Sequence, residues 1–219
     1  MKKGIKKVLS VFMACVLMMS SIIGFGITSF AESSDPSQEE PRGPLTYYVR
    51  TESELRNAIY DSVSGDTIVF LNDIVATGNR CIYFGHKLTI DLNYHCLTFG
   101  GKCAGMQIDS SICLYNGTIY GHNDIDYAIW IYGGSPKISN CSIYAGNCIG
   151  SERAYGNAIY CNAHSSTIYL DYVYLQGGNG YTKGIFTPER TGKAIYVDWS
   201  GSRVCAVGRG YTCVDGQPA

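Results

Sequence analysis

The sequence predicts an all-β chain: a single parallel β-helix of about six rungs, three short strands per rung, with a capping helix at its N-terminal end. Three observations lead there. The stretch Gly156-Asn157-Ala158-Ile159-Tyr160-Cys161 recurs as Gly192-Lys193-Ala194-Ile195-Tyr196-Val197, with a looser copy at Asp126-Tyr127-Ala128-Ile129-Trp130-Ile131. A second pattern, apolar-x-Asn/Tyr-x-x-apolar, starts at Phe70, Leu92, Leu114, Ile138 and Leu170, in steps of 22, 22, 24 and 32 residues. Within the copies apolar residues alternate with polar or aromatic ones, which is the period of a strand. A short strand unit repeated every ~20–40 residues is the mark of a solenoid. Strands this short and evenly spaced, with no helical pattern between them, argue against a βαβ fold. A β-sandwich is the runner-up, but it leaves the 22-residue step unexplained.

From the N-terminus, Lys2, Lys3, Lys6 and Lys7 precede an apolar run from Val8 to about Gly26 and then Ser29-Phe30-Ala31. A basic start, an apolar middle and small residues at the cut predict a secretory signal peptide over residues 1–31. The leader has a bacterial look, and the expected mature protein is extracellular, with no membrane segment left after cleavage. An uncleaved anchor is the alternative, because the run approaches the ~18–20 residues a span needs. Residues 32–45 are polar and acidic and hold Pro36, Pro41 and Pro44. Such a segment cannot bury a core and reads as a disordered linker. Residues 46–219 then form one domain. With 17 Lys and Arg against 18 Asp and Glu, net charge −1, composition offers nothing to nucleic acid or to a membrane surface.

Thr46 to Arg50 is β-prone. Thr51-x-x-Glu54 is a capping box, and Leu55, Ala58 and Ile59 recur at helical spacing, so a helix runs from about Glu52 to Asp61 and ends near Ser64-Gly65. Its apolar face suits a lid over the sheet edge. The rung around Tyr132 divides into Ala128–Tyr132, Lys137–Ser139 and Ser142–Tyr144, with Ile129 and Ile131 inward and Trp130 and Tyr132 outward. The middle position of the repeat is Asn72, Tyr94, Asn116, Asn140 and Tyr172. It falls at a corner, where an asparagine can bond its own backbone and the asparagine stacked above it. The later apolar position is Val75, Leu97, Ile119, Ile143 and Leu175. Val204 and Ala206 open a sixth rung. No clear cap follows Gly208, and an open C-terminal edge would favour self-association.

Nine cysteines remain after cleavage, since Cys15 lies in the leader and the chain has ten. No Cys-x-x-Cys occurs. Cys161 aligns with Ile131 and Val197 and should point inward. Cys81 and Cys103 are 22 residues apart, one rung step, which puts their Cα atoms within disulfide range. Cys141–Cys148 and Cys205–Cys213 are looser pairs, and free core thiols are the alternative.

Val49-x-Thr51, Leu55-x-x-Ala58-Ile59 and Gly65-Asp66-Thr67-Ile68, followed by Leu88-Thr89-Ile90-Asp91-Leu92-Asn93 and Gly117-Thr118-Ile119, resemble the entry cap and early rungs of right-handed parallel β-helix proteins of the pectin-lyase-like superfamily. The resemblance covers about Thr46 to Val207. It implies a right-handed coil whose first strands, with the loops before them, form a polysaccharide cleft. These are fold motifs, shared by lyases, hydrolases and adhesins, and they do not fix chemistry.

Insertions fall before the Ala-Ile strands, at His122–Asp126, Asn147–Tyr155 and Gly178–Thr191, and stacking would set them side by side. The strands that follow present Trp130, Tyr160 and Tyr196 in one outward column, preceded by Tyr83 and Gln107. Aromatic faces at the ~4.8 Å strand spacing suit sugar rings. The plainer reading is that tyrosines favour a β surface, and the chain has 18 of them. The superfamily's uronate lyases need calcium carboxylates and an arginine or lysine base. Here Asn123-Asp124-Ile125-Asp126, completed by Glu152 and Glu189 on neighbouring loops, could give oxygen ligands to Ca2+, which takes about six to eight. Arg153, Lys183 or Arg190 would then be the base. The hydrolase motifs of the superfamily are absent, and Gly121-His122-Asn123 matches one only in part. Asp109 and Asp198 share a column about three rungs apart, ~14 Å at the strand spacing, beyond the ~9.5 Å reach of a glycosidase pair. His86, His95 and His164 have no zinc spacing, and no phosphate loop or serine nucleophile motif occurs. The expectation is polysaccharide binding along the aromatic face without catalysis. The alternatives are a calcium-dependent uronate lyase and a structural or adhesive scaffold.

Overall fold

The computed structural model describes residues 42–147, 156–179, 192–198 and 201–215. The expected signal peptide and most of the expected linker lie outside them. Among the described residues there is one helix, α1 (Glu52–Asp61), and fifteen strands. The strands are β1 (Thr46–Val49), β2 (Thr67–Phe70), β3 (Ile74–Ala76), β4 (Ile82–Phe84), β5 (Thr89–Asp91), β6 (Cys96–Phe99), β7 (Met106–Asp109) and β8 (Cys113–Tyr120). They continue as β9 (Tyr127–Gly133), β10 (Lys137–Tyr144), β11 (Asn157–Cys161), β12 (Thr167–Gln176), β13 (Ile195–Val197), β14 (Arg203–Ala206) and β15 (Tyr211–Val214).

Every pairing is parallel, and the strands form two sheets. A ten-stranded sheet runs β1-β2-β5-β8-β10-β12-β14, with β3 on β6, β6 on β8 and β15 on β12. A five-stranded sheet runs β13-β11-β9-β7-β4. Parallel strands buried against each other need aliphatic stacks on their inner faces, and three such stacks make the core. One is Ile68–Ile90–Leu114–Ile138–Leu170, the second Ile74–Leu97–Ile119–Ile143–Leu175 and the third Ile82–Met106–Ile129–Ile159. All of these side chains are buried. Ile129 and Ile131 lie inside, Trp130 is half-buried and Tyr132 exposed, as the alternation requires. This predominantly β, parallel arrangement is compatible with a β-helix-like fold.

Two register expectations are corrected. Val75 is exposed and Ile74 pairs with Leu97 in its place. Leu114 pairs with Ile90, not Leu92. The cause of the second is local: Asn93 and Tyr94 both take left-handed backbone, φ 48° and 64°, and add two residues to that corner. Asn116, Asn140 and Tyr172 take the same conformation, φ 61°, 50° and 54°. There β8, β10 and β12 turn their corner on one residue and continue as single strands, where two separate short strands were expected. Asparagine tolerates this backbone because its side chain bonds locally. Asn140 Nδ2 donates to Asn116 Oδ1 (2.9 Å) and Asn116 Nδ2 to Asp91 Oδ1 (3.2 Å), a ladder along the corner. Gly117 follows because a Cβ there would lie 2.5 Å from Leu92 Cβ and His95 O.

Helix α1 forms where expected. The Thr51 hydroxyl accepts from the Glu54 N–H (3.2 Å), while Glu54 reaches back to the Arg50 N–H (2.6 Å), one residue short of the N-cap itself. Leu55 and Ala58 are buried, and the helix ends at Ser62. Its outer edge is latched. Glu52 accepts from the N–H groups of Thr77 (2.8 Å) and Gly78 (3.1 Å) and pairs with Arg56 (2.8 Å). Arg56 in turn donates to Cys81 O (3.2 Å) and Arg80 O (2.7 Å). At the other end, β14 and β15 both pair with β12. Asp215 accepts from Ala194 N–H (2.9 Å) and Lys193 Nζ (3.0 Å). Among the described strands, β13, β14 and β15 pair on one side only. No helix of the described residues is long and apolar enough to cross a membrane.

Candidate functional site

The outward face of the five-stranded sheet brings Tyr83, Gln107, Trp130, Tyr160 and Tyr196 into one column, each the register partner of the next. Rigid strands with buried aliphatic neighbours fix these side chains. Trp130 and Tyr160 ring centroids are 6.2 Å apart, and Tyr160 and Tyr196 5.8 Å apart with planes 19° from parallel. These separations are those of offset rings (about 4.5–7 Å), which leave part of each face uncovered. Tyr127 packs on Trp130 (5.3 Å) and Tyr160 (6.3 Å), and Tyr132 sets an edge against Trp130 (5.6 Å). The ends of the column, Tyr83 and Tyr196, are 46% and 45% exposed.

Polar groups fix the rings from one side. Trp130 Nε1 donates to Asn162 Oδ1 (2.6 Å), Tyr83 OH to Asp109 Oδ2 (3.2 Å) and Tyr160 OH to Asp198 Oδ2 (3.1 Å). Burial first, and the neighbouring carboxylate second, push the Tyr83 and Tyr160 phenols above their ordinary values. Burial raises Tyr127 further still. All three therefore stay neutral hydroxyls through the physiological range. Asp109 and Asp198 each serve a tyrosine and sit on β7 and just beyond β13, three strand steps apart, so they form no dyad.

The loops beside the column leave and return in register. Asn147 N–H donates to Asn123 Oδ1 (2.8 Å) and Asn179 N–H to Asn147 Oδ1 (2.8 Å), stacking the three departures. On the return side, Asn157 N–H bonds Asp126 O (2.7 Å) and Lys193 N–H bonds Asn157 Oδ1 (2.9 Å). The longest excursion closes on itself, with Gly178 N–H on Gly156 O (2.8 Å) and Gly192 N–H on Gly178 O (3.0 Å). His122 Nδ1, at the first departure, is buried with no hydrogen-bond partner among the described residues. Asp124 stands at φ 58°, its N–H on Asn147 O (2.8 Å). The described residues gather no group of three or more His, Cys, Asp or Glu that could hold a metal ion. Glu152 and Glu189, needed beside Asp124 and Asp126, and the base candidates Arg153, Lys183 and Arg190 lie outside the described residues.

The expected Cys81–Cys103 bridge is corrected: both are free thiols. At this corner the step is 24 residues, Ile82 pairing with Met106, so Cys81 neighbours Gly105 and not Cys103. Cys81 Sγ instead donates to Gln107 Oε1 (3.2 Å) and Cys103 Sγ to Arg80 O (3.2 Å). Cys141, Cys205 and Cys213 are also free, and Cys148 lies outside the described residues. Cys161 is buried, as its alignment required.

A second tyrosine ladder was not anticipated. On the ten-stranded sheet, Tyr120 stacks on Tyr144 (5.2 Å, 14°) and Tyr144 packs on Tyr174 (5.5 Å). Its signal was present: Tyr120 and Tyr144 each follow the later apolar residue of the repeat. Comparison of the chain with family models, curated proteins and solved structures finds no match.

Proposed function

We propose that this chain is a secreted bacterial right-handed parallel β-helix that holds a polysaccharide along its aromatic column without cleaving it. The observation that carries the reading is the unbroken register from Tyr83 through Gln107, Trp130 and Tyr160 to Tyr196. Offset rings at 5.8–6.2 Å repeat at about the length of one sugar residue in an extended glycan. Sugar C–H faces pack on such rings, and the phenols and carboxylates at their margin offer the hydrogen bonds that sugar hydroxyls exchange with water. Asp109 and Asp198 are three strand steps apart, ~14 Å at the strand spacing, which favours holding over hydrolysis.

The test is a panel of neutral and acidic plant polysaccharides incubated with the mature chain, with and without calcium, read by pull-down and by ultraviolet absorbance of unsaturated product. Pull-down without product, weakened at least about tenfold by Tyr196→Ala and lost with Trp130→Ala plus Tyr160→Ala, is expected. Calcium-dependent unsaturated product would replace this reading with a lyase. Absence of both signals would leave only a scaffold.

A further inference from the structure

On the ten-stranded sheet, away from the aromatic column, an open cleft of about 460 Å3 lies along the left-handed corner. Its construction follows from side-chain size. Thr118, Ser142, Tyr174 and Thr212 are register neighbours on one outward column. Three of the four are small, so the column is a trough, and Tyr174, the large member, stands in it as a wall. Tyr94, Tyr172, Tyr211 and Arg209 line it as well. Tyr94 and Tyr172 are 78% and 57% exposed, so their rings face solvent rather than core.

Arg209 is placed with care. It sits in the turn between β14 and β15, between two left-handed glycines, Gly208 (φ 54°) and Gly210 (φ 74°). Its backbone N–H is held by Asp171 Oδ1 (2.9 Å). A Cβ on Gly208 would run into that same carboxylate, so the turn needs glycine to reach it. The guanidinium lies over the Tyr172 ring, 5.1 Å from its centroid. Stacking on an aromatic face orients the planar fork and lowers the entropy lost when it grips a planar anion. Among the described residues no carboxylate pairs with this guanidinium, and it is the one charged side chain lining the cleft.

A trough with tyrosine walls and a single oriented arginine has the recognition chemistry for a ring that carries an anionic group. The rings take an apolar face, and the fork takes two oxygens. The geometry points to a second binding site here, taking an acidic sugar residue, one bearing a carboxylate or a sulfate, independently of the aromatic column on the other sheet. A saccharide rather than an aromatic acid fits because the trough floor is hydroxyl-rich (Thr118, Ser142, Thr212).

The test uses isothermal titration of the mature chain with three probes: an oligogalacturonate, a sulfated galactan oligosaccharide and a neutral cello-oligosaccharide. Binding of one or both acidic probes is expected at this site, weakening with added salt. The acidic probe that binds identifies the anion. Arg209→Gln should weaken it about tenfold or more, the loss expected for a charge-assisted pair. Thr212→Glu, which sets a carboxylate on an exposed strand in the trough, should do the same without touching Arg209. Trp130→Ala plus Tyr160→Ala should leave it unchanged, which separates this site from the column. Failure of both acidic probes to bind the native chain overturns the inference. So does full affinity in Arg209→Gln and Thr212→Glu, or loss of acidic binding in the column variant.

Discussion

Asn116 tests the one-residue corner that β8, β10 and β12 share. Its backbone is left-handed (φ 61°), its Nδ2 donates to Asp91, and its Oδ1 accepts from Asn140. Replacing it by alanine removes two hydrogen bonds, each contributing about 0.5–1.5 kcal/mol. It also leaves a methyl in a conformation that costs an ordinary residue about 1–2 kcal/mol. The expected destabilisation is therefore about 2–5 kcal/mol. Glycine loses the same hydrogen bonds but relieves the backbone, against an entropic cost of about 0.5–1 kcal/mol. Asn116→Gly should then fall between the two, about 0.5–1 kcal/mol above Asn116→Ala. Urea unfolding followed by circular dichroism reads this directly, as midpoint shifts at constant slope. An alanine variant that unfolds at the native midpoint would refute the ladder as a source of stability. A glycine variant weaker than alanine would refute the strain argument.

Two further outcomes follow from the latch and the buried thiol. Burial alone would raise Glu52, but the Thr77 and Gly78 N–H groups and the Arg56 guanidinium outweigh it and hold its carboxyl below its ordinary 4.5. A carboxyl lowered in the folded state stabilises above its ordinary value, and the contribution fades as pH falls through the folded one. Glu52→Gln should lower the melting temperature at pH 7 and flatten its decline below about pH 4.5; an unchanged pH profile would remove the latch from the account. Burial pushes the Cys141 thiol up to about 12, so iodoacetamide at pH 8 should leave it unmodified until denaturant is added, while exposed Cys213 is alkylated in the native chain. Native alkylation of Cys141, read by peptide mass mapping, would contradict its packing.

The aromatic column was legible because two signals coincide in it. The Ala-Ile pair marks the inward positions, and the period of two then assigns Trp130, Tyr160 and Tyr196 to the outer face. The Tyr120–Tyr144–Tyr174 ladder obeys the same rule, but the repeat flags only its first two members, since Tyr174 precedes the later apolar residue and is two residues out of register with Tyr144. Register slipped where corners vary. The step is 22 residues from β2 to β5 (Ile68 to Ile90) but 24 from β4 to β7 (Ile82 to Met106). A uniform 22 therefore stacked Cys81 on Cys103 and Leu92 on Leu114. Corner length depends on which residues turn left-handed, and Tyr94 at φ 64° has no side-chain signature for that. The Arg209 cleft joins the middles of β8, β10 and β12, the start of β15 and two turns, and no local pattern could have assembled it.

The paired glycines at the mouth of the longest excursion have a consequence for how such a chain can change over generations. Gly178 and Gly192 meet through a backbone hydrogen bond, so whatever is spliced between them begins and ends at nearly one point. Closing a loop costs only about 0.6 kcal/mol more for each doubling of its length. Inserts of very different size and chemistry can thus be exchanged at this doorway while the aliphatic stacks below keep their partners. Sequence can drift there without the fold taking part.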